Sequence, residues 1–328
     1  MSKKPSKGQK KVLITGVSGF LGVNVTERIL SDTGFIVCGL ADKVPDEAKG
    51  LFKKWLSSGR FRFYKADFID HYGLERVVKK ASPDYVIHLG GYVDTRAGYE
   101  VANLCMDVNI KGTLNLLEAL KGAPVKRFVF ASTAEVYARA VLSNNDKPRD
   151  SVISPYGMSK LAAEMLCRLY AKIRKMPVVI LRFSNAYGPF QRPEKVIPMI
   201  ILNSLKGSDI LLKSPHQKCD FIFVDDISRA IIMALSSSKA ENSVIDIANG
   251  KGREIYEVTK NIITKLKSKS RILYEKDERV IRSVKYFPGY SRAKRVFGWF
   301  PEFDFDSGLN KTISWYRMNP VKPHPIIE

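Results

Sequence analysis

Short apolar runs rich in β-branched and aromatic residues recur along the first two thirds of the chain. They lie at Val12–Thr15, Phe35–Leu40, Phe61–Ala66, Tyr85–Leu89, Arg127–Ala131 and Val178–Arg182. Each has strand length rather than helix length, and most read as strands buried on both faces. Between them, apolar positions of helical period predict helices over Phe20–Leu30, Leu74–Ala81, Asp107–Leu120 and Tyr156–Lys175. Regular alternation of strand and helix predicts a parallel sheet with helices on both faces, and ligands beyond the carboxyl ends of the strands. After about residue 186 the rhythm breaks, where Pro189, Pro193, Pro198 and Pro215 punctuate a loop-rich region and a mixed, basic segment follows from about residue 250. The expected layout is a sheet domain over 10–185, rejoined by 220–248 through a helix over Asp226–Ser236 and a strand over Val244–Ala248. A smaller mixed C-terminal substrate domain is expected from 186–219 and 249–318, with loose tails at 1–9 and 319–328.

The totals restrict what such a chain does. At 328 residues, 45% hydrophobic and 27% charged, it can bury a substantial core, and no apolar run approaches the length of a membrane span. Five lysines in residues 1–11 with no apolar segment behind them do not read as a secretion signal. Cys38, Cys105, Cys167 and Cys219 are too scattered for a metal or redox pair, and with the four dispersed histidines they predict no metal site and a cytoplasmic setting. The net charge of +21 favours anionic partners. No aromatic-interleaved nucleic-acid motif accompanies it, so a small anionic substrate is preferred to nucleic acid.

Two motifs carry chemistry. Directly after the first strand stands Gly16-Val17-Ser18-Gly19-Phe20-Leu21-Gly22, opening the first helix. Glycines there allow a tight turn, close approach of backbone N–H groups to a pyrophosphate, and close packing of helix on sheet. The second motif is Thr133 with Tyr156 and Lys160. Residues four apart share a helical face, and an ammonium beside a phenol is expected to lower its pKa, so that the tyrosine could take a proton from a secondary alcohol. Tyr256/Lys260 and Tyr290/Lys294 have the same spacing. Only Tyr156 is expected to open a helix, after a Ser-Pro turn and shortly after a strand ending in Ala131-Ser132-Thr133. The other pairs read as surface helix contacts.

These motifs belong to an ordered set. His88-Leu89-Gly90-Gly91, Asp107-Val108-Asn109-Ile110-Lys111-Gly112-Thr113 and Ser132-Thr133-Ala134-Glu135-Val136-Tyr137 come first. Ser154-Pro155-Tyr156-Gly157-Met158-Ser159-Lys160, Leu181-Arg182-Phe183-Ser184-Asn185-Ala186-Tyr187-Gly188-Pro189 and Asp220-Phe221-Ile222-Phe223-Val224-Asp225-Asp226 follow. From residue 11 to about 316 the chain resembles an extended short-chain dehydrogenase/reductase, in the branch of nucleotide-sugar epimerases and dehydratases. The resemblance implies an α/β fold with a Rossmann-type doubly wound parallel sheet. It implies cofactor contacts from Gly16, Gly19, Phe20, Leu21, Gly22, Asp42, Asp67, Phe68, Leu89, Gly90, Asn109, Ala131, Tyr156 and Lys160. Thr133, Tyr156 and Lys160 would act as hydroxyl, base and helper, and Arg96, Thr133, Asn185, Gln191, Arg192 and Val196 would face the substrate. Arg279 or Arg282 would either clamp a pyrophosphate or remain a solvated charge. The implied partners are a nucleotide-diphosphate sugar and a second copy of the chain, paired through the helices Asp107–Leu120 and Tyr156–Lys175.

Departures from the family pattern narrow the expectation. The usual ribose-binding acid falls on Ala41, with Asp42 one place late and Lys43 beside it; NAD is favoured over NADP. Ala134 stands where 4,6-dehydratases of the deoxythymidine-diphosphate-glucose type carry an aspartic acid. Glu135 is retained, either as an acid of dehydratases and decarboxylases or as a structural carboxylate. Cys219 replaces a phosphate-binding arginine, and Gly90-Gly91 replaces a pair of alanines, which is expected to leave extra room near the nicotinamide. The expected activity is C4 epimerisation of a nucleotide-diphosphate sugar through a 4-keto intermediate. The rivals are a dehydratase or decarboxylase using Glu135, and a non-catalytic nucleotide-sensing or RNA-binding protein on the same sheet.

Overall fold

The computed structural model of the chain describes residues 8–94, 98–137, 154–274 and 287–320. The apolar runs become strands. β1 (Lys11–Thr15), α1 (Phe20–Asp32), β2 (Ile36–Ala41), α2 (Asp46–Ser57), β3 (Phe61–Lys65), α3 (His71–Ala81) and β4 (Tyr85–His88) come in turn. Next, α4 (Tyr99–Leu104) passes through a π-helical stretch, Cys105–Lys111, into α5 (Gly112–Ala119). β5 (Arg127–Thr133) ends in a 3-10 turn, Ala134–Tyr137, and α6 (Pro155–Arg174) leads into β6 (Val178–Phe183). The remainder comprises β7 (Asn185–Tyr187), α7 (Val196–Lys206), β8 (Ile210–Leu212), β9 (Lys218–Phe223), α8 (Val224–Ser236), β10 (Ser243–Ile247), β11 (Gly252–Glu254), α9 (Ile255–Leu266), β12 (Ile272–Tyr274), α10 (Ser291–Phe297) and α11 (Phe305–Met318).

Seven parallel strands form one sheet in the order β10-β6-β5-β4-β1-β2-β3. Because side chains alternate across a strand, Val12 and Ile14 of β1 pack on one face with Val25, Ile29, Ile227 and Ile231, while Leu13 packs on the other with Leu116, Leu117, Phe128 and Phe130. Burying each such side chain contributes about 1.5–3 kcal/mol, so a charge in either face would break the sheet. Strand order reverses between β1 and β4, which opens a crevice at their carboxyl ends. α8 and β10 join this large sheet, whereas β9 lies in a small sheet of order β11-β9-β7. β12 and β8 pair separately, and a third cluster (Ile197, Ile200, Ile201, Phe221, Phe223, Val258, Leu309, Ile313) packs α7, α9 and α11 against the small sheets. Among the described residues no helix is long and apolar enough to cross a membrane.

Some elements escaped the sequence pattern. α2 is interrupted by Gly50 and by lysines, yet Phe52 and Trp55 are buried under the sheet. α7, α9 and α11 form because their apolar residues have each other and β9 to cover, a pairing that periodicity within one segment does not show. The single helix expected over Asp107–Leu120 starts earlier, in α4, and widens into the π-helical stretch. Such widenings recur at functional sites, and this one carries Asn109.

Candidate functional site

The glycine loop sits at the switch point. Gly16 has φ +67°, and a Cβ there would lie 2.7 Å from the Cα of Gly90 and 3.0 Å from the carbonyl carbon of Leu89. At Gly22 a Cβ would stand 2.1 Å from the carbonyl oxygen of Gly16. Only glycine permits this contact of turn, helix and the loop after β4. The Gly19 N–H donates to the Gly16 carbonyl at 3.0 Å, and no side chain caps the start of α1 at Phe20 and Leu21. The first-turn N–H groups and the positive end of the helix therefore face the crevice, as an anion requires. By contrast α3 is capped by Asp70 and α6 by Ser154, which accepts from the Gly157 N–H at 3.1 Å.

The floor is tied by His88, which is 1% exposed. Gly90 N–H donates to the Thr15 hydroxyl at 3.1 Å, and that hydroxyl meets His88 Nδ1 at 2.6 Å. His88 Nε2 meets the Thr113 hydroxyl at 3.1 Å, which donates to the Asn109 carbonyl at 2.6 Å. One assignment satisfies every group: Thr15 donates to Nδ1, and Nε2–H donates to Thr113. Burial lowers the histidine's pKa to about 3, with the Lys160 charge adding to it, so His88 is neutral. Protonation then favours unfolding: between pH 6.5 and about 3 the unfolded chain binds the extra proton, and stability falls as pH falls. In urea titrations, the stability difference between the parent protein and His88→Gln is expected to shrink by up to about 1.4 kcal/mol per pH unit below pH 6.5. A difference that stays constant over that window would show that His88 does not titrate this way. The comparison is needed because Asp220, raised to about 6 chiefly by burial, has the opposite slope: it destabilises above that pH and is relieved on acidification.

Asn109 is fully engaged. Its side chain accepts from Tyr92 N–H at 2.8 Å and donates to the Tyr92 carbonyl and the Ser159 hydroxyl, both at 2.9 Å. Ser159 in turn donates to the Tyr156 carbonyl at 2.8 Å. Asn109 thus locks the loop after β4 to the turn of α6 that carries Tyr156 and Lys160. The extra room expected at Gly90-Gly91 does not exist. A Cβ at Gly90 would stand 2.2 Å from the Phe68 ring, and one at Gly91 would stand 2.8 Å from Asn109 Oδ1. The missing methyl groups are replaced by a ring and an amide.

Thr133, Tyr156 and Lys160 converge at the carboxyl end of β5, where the Tyr156 phenol faces Thr133. The expected lowering of the phenol's pKa by Lys160 is not found. Burial pushes it far above its ordinary range, Glu135 and Cys105 push it further, and only the neighbouring Thr133 opposes them. Lys160 Nζ lies instead 4.2 Å from the centre of the Phe130 ring and about 4.0 Å from where a Gly91 Cβ would be, at the edge of the crevice. Its own pKa falls to about 8, mainly through burial. Glu135 is exposed at the rim, yet the protein packed about its carboxyl raises its pKa. Its field reaches both Tyr156 and Cys219, whose thiol is raised to about 11 by burial, Glu135 and Asp220 in that order. The expectation that only Tyr156 opens a helix fails, since Tyr256 is the second residue of α9 and Tyr290 precedes α10. Tyr156 is distinguished by its place beside β5.

The remaining expected residues divide. Ala131 is buried in β5, and Leu89 continues β4 with its N–H 3.3 Å from the Thr15 carbonyl. Asp42 and Asp67 are exposed just past β2 and β3, and Asp67 holds its own turn through the Ile69 N–H at 3.0 Å. Asn185 is exposed at the start of β7 and donates to the Asp220 carbonyl at 3.3 Å; Gln191 donates to the Ala186 carbonyl at 2.8 Å. Arg192 is exposed beside Glu194, and Val196 begins the uncapped α7. Arg96, Arg279 and Arg282 lie outside the described residues. Sequence reasoning passed over the roles of His88 and Ser159, since no spacing rule connects residues 15, 88, 109, 113 and 159.

A family model, described as the NAD dependent epimerase/dehydratase family, matches residues 12–248. The chain belongs to that family. Across 94% of its length it is 31% identical to a UDP-glucuronate 4-epimerase of Thermodesulfobacterium geofontis (strain OPF15), 96% of which is covered. The UDP-glucuronic acid 4-epimerase of Bacillus cereus, solved with UDP-glucuronic acid and NAD, superposes with a TM-score of 0.83 at 25% identity, over 94% of this chain and 99% of that one. The dTDP-glucose 4,6-dehydratase of Bacillus anthracis, solved with NAD, gives 0.78 at 27%, over 95% and 97%. For this epimerase/dehydratase family member, similarity thus extends through both the large sheet and the elements after it.

Proposed function

We propose that the chain is an NAD-dependent C4 epimerase of a nucleotide-diphosphate sugar. The observation that carries the reading is the placement of the Tyr156 phenol against Thr133 at the carboxyl end of β5, beside a crevice whose glycine loop leaves α1 uncapped. These residues fit the cofactor: Gly16, Gly19, Phe20, Leu21 and Gly22 would hold the pyrophosphate, Asp42 and Asp67 the adenosine, and Lys160 the nicotinamide end. Bound there, NAD supplies a reversible hydride acceptor and a positive charge beside the phenol. Tyr156 takes the proton of the sugar hydroxyl as the carbinol carbon becomes a ketone, and returns it when that carbon is reduced on its other face. Thr133 steadies the oxygen. In the free protein the phenol is protonated, so Tyr156 becomes a base only when positive charge gathers around it. Asn185, Gln191, Arg192 and Val196 would face the diphosphate and base. Met165 and Ile173 stand 66% and 55% exposed along α6 beside Met158 and Leu169, and this apolar stripe supports the expected homodimer.

Ala134 in place of an aspartic acid favours epimerisation over dehydration. The second reading, dehydration or decarboxylation, draws on Glu135, whose field reaches Tyr156. Incubation with a panel of nucleotide sugars, read by product mass, separates them: an epimer keeps the substrate's mass, and loss of water or carbon dioxide lowers it. On the active sugar Glu135→Gln is expected to stay within about ten-fold of the parent turnover. A product of lower mass, or a loss of 10³-fold or so in that variant, overturns the epimerase reading.

A further inference from the structure

Behind the Tyr156–Lys160 face of α6 lies a buried charged network that the proposed chemistry does not use. Glu164, 1% exposed and one turn beyond Lys160, receives two bonds from the Arg182 guanidinium, Nε to Oε1 at 2.8 Å and Nη2 to Oε2 at 2.6 Å. The Ser132 hydroxyl adds a third at 2.5 Å. Arg182 also stacks over the Tyr137 ring at 4.7 Å, and the Tyr137 hydroxyl donates to Asp246 at 2.8 Å. The network thus joins α6, β5, β6, β10 and the 3-10 turn that bears Glu135. Ser132 immediately precedes Thr133, so Glu164 grips the strand end that presents the substrate-facing hydroxyl.

We propose that Glu164, oriented by Arg182 and Ser132, is a positioning residue that keeps Lys160 an ammonium at the crevice edge and holds Thr133 in register with Tyr156. Lys160 is 5% exposed, and among the described residues no carboxylate lies within ion-pair distance of it. The groups facing it are the Phe130 ring on β5, His88 on β4, Gly91 in the following loop, and Cys167 and Glu164 on its own helix. His88 is neutral, and burial holds the Cys167 thiol far above its ordinary range, so neither carries charge at neutral pH. Glu164 is then the anion that opposes desolvation of the ammonium. A bidentate guanidinium fixes its carboxylate in one place.

The test uses the full chain with selectively labelled lysine, the Lys160 side-chain resonance being assigned by its loss in Lys160→Arg. Because Glu164→Gln alone strands a buried guanidinium, Glu164→Gln/Arg182→Met is compared beside it; removing both charges together spares the fold more often than removing one. In the folded double variant the Lys160 titration midpoint is expected to fall by about one pH unit or more, and the NAD dissociation constant at pH 8 to rise several-fold. An unchanged midpoint overturns the proposal. The midpoint is read without cofactor or sugar, so it stands or falls separately from the epimerase reading.

Discussion

Tyr156→Phe turns over its nucleotide sugar at least about 10³-fold more slowly than the parent, while NAD binds with unchanged affinity. The hydroxyl is the only group removed, and it faces Thr133 rather than a group holding the fold together. The backbone carbonyl of residue 156 continues to receive Ser159, so the link to Asn109 and the loop after β4 survives. The separation of the two readouts is what matters. NAD titration by tryptophan fluorescence should superpose for the two proteins, and rapid-quench turnover should not. Retention of more than a tenth of the parent rate would remove the phenol from the proton transfer.

Gly90→Ala is expected to weaken NAD binding by ten-fold or more and to destabilise the fold by about 1–3 kcal/mol. The added carbon would stand 2.2 Å from the Phe68 ring, and Gly90 itself presses on Gly16 at the turn before α1. Relief of one contact therefore disturbs the other, along with the bond from Gly90 N–H to Thr15. The clash is with a side chain, so it has a defined remedy: Phe68→Leu/Gly90→Ala should recover most of the loss. This double change restores space without altering the turn. If it binds NAD no better than the single variant, the ring is not what glycine accommodates. At Gly16 no such remedy exists, because the obstacle is backbone and φ is positive.

The sites differ in how far they could be read in advance. The glycine turn and the Tyr156–Lys160 spacing are local patterns; backbone geometry turns them directly into an uncapped helix start and a shared helical face. The Gly90-Gly91 pair misled for the opposite reason. Its small size suggested empty space, and the occupant of that space, Phe68, comes from a different strand end. The electrostatics of Tyr156 were misjudged likewise, since spacing places an ammonium on the same face but says nothing of which ring it rests on or how much solvent remains.

Alternating apolar runs and ordered motifs by themselves determined the parallel sheet, the glycine turn before the first helix and the family, because each depends on neighbours within a few residues along the chain. Tertiary structure alone decided that α2, α7, α9 and α11 are helices, that His88 joins Thr15 to Thr113, and that Glu164 is clamped by Arg182. Those features depend on burial and on partners brought together from distant positions, and the energy of a buried contact belongs to the pair rather than to either segment.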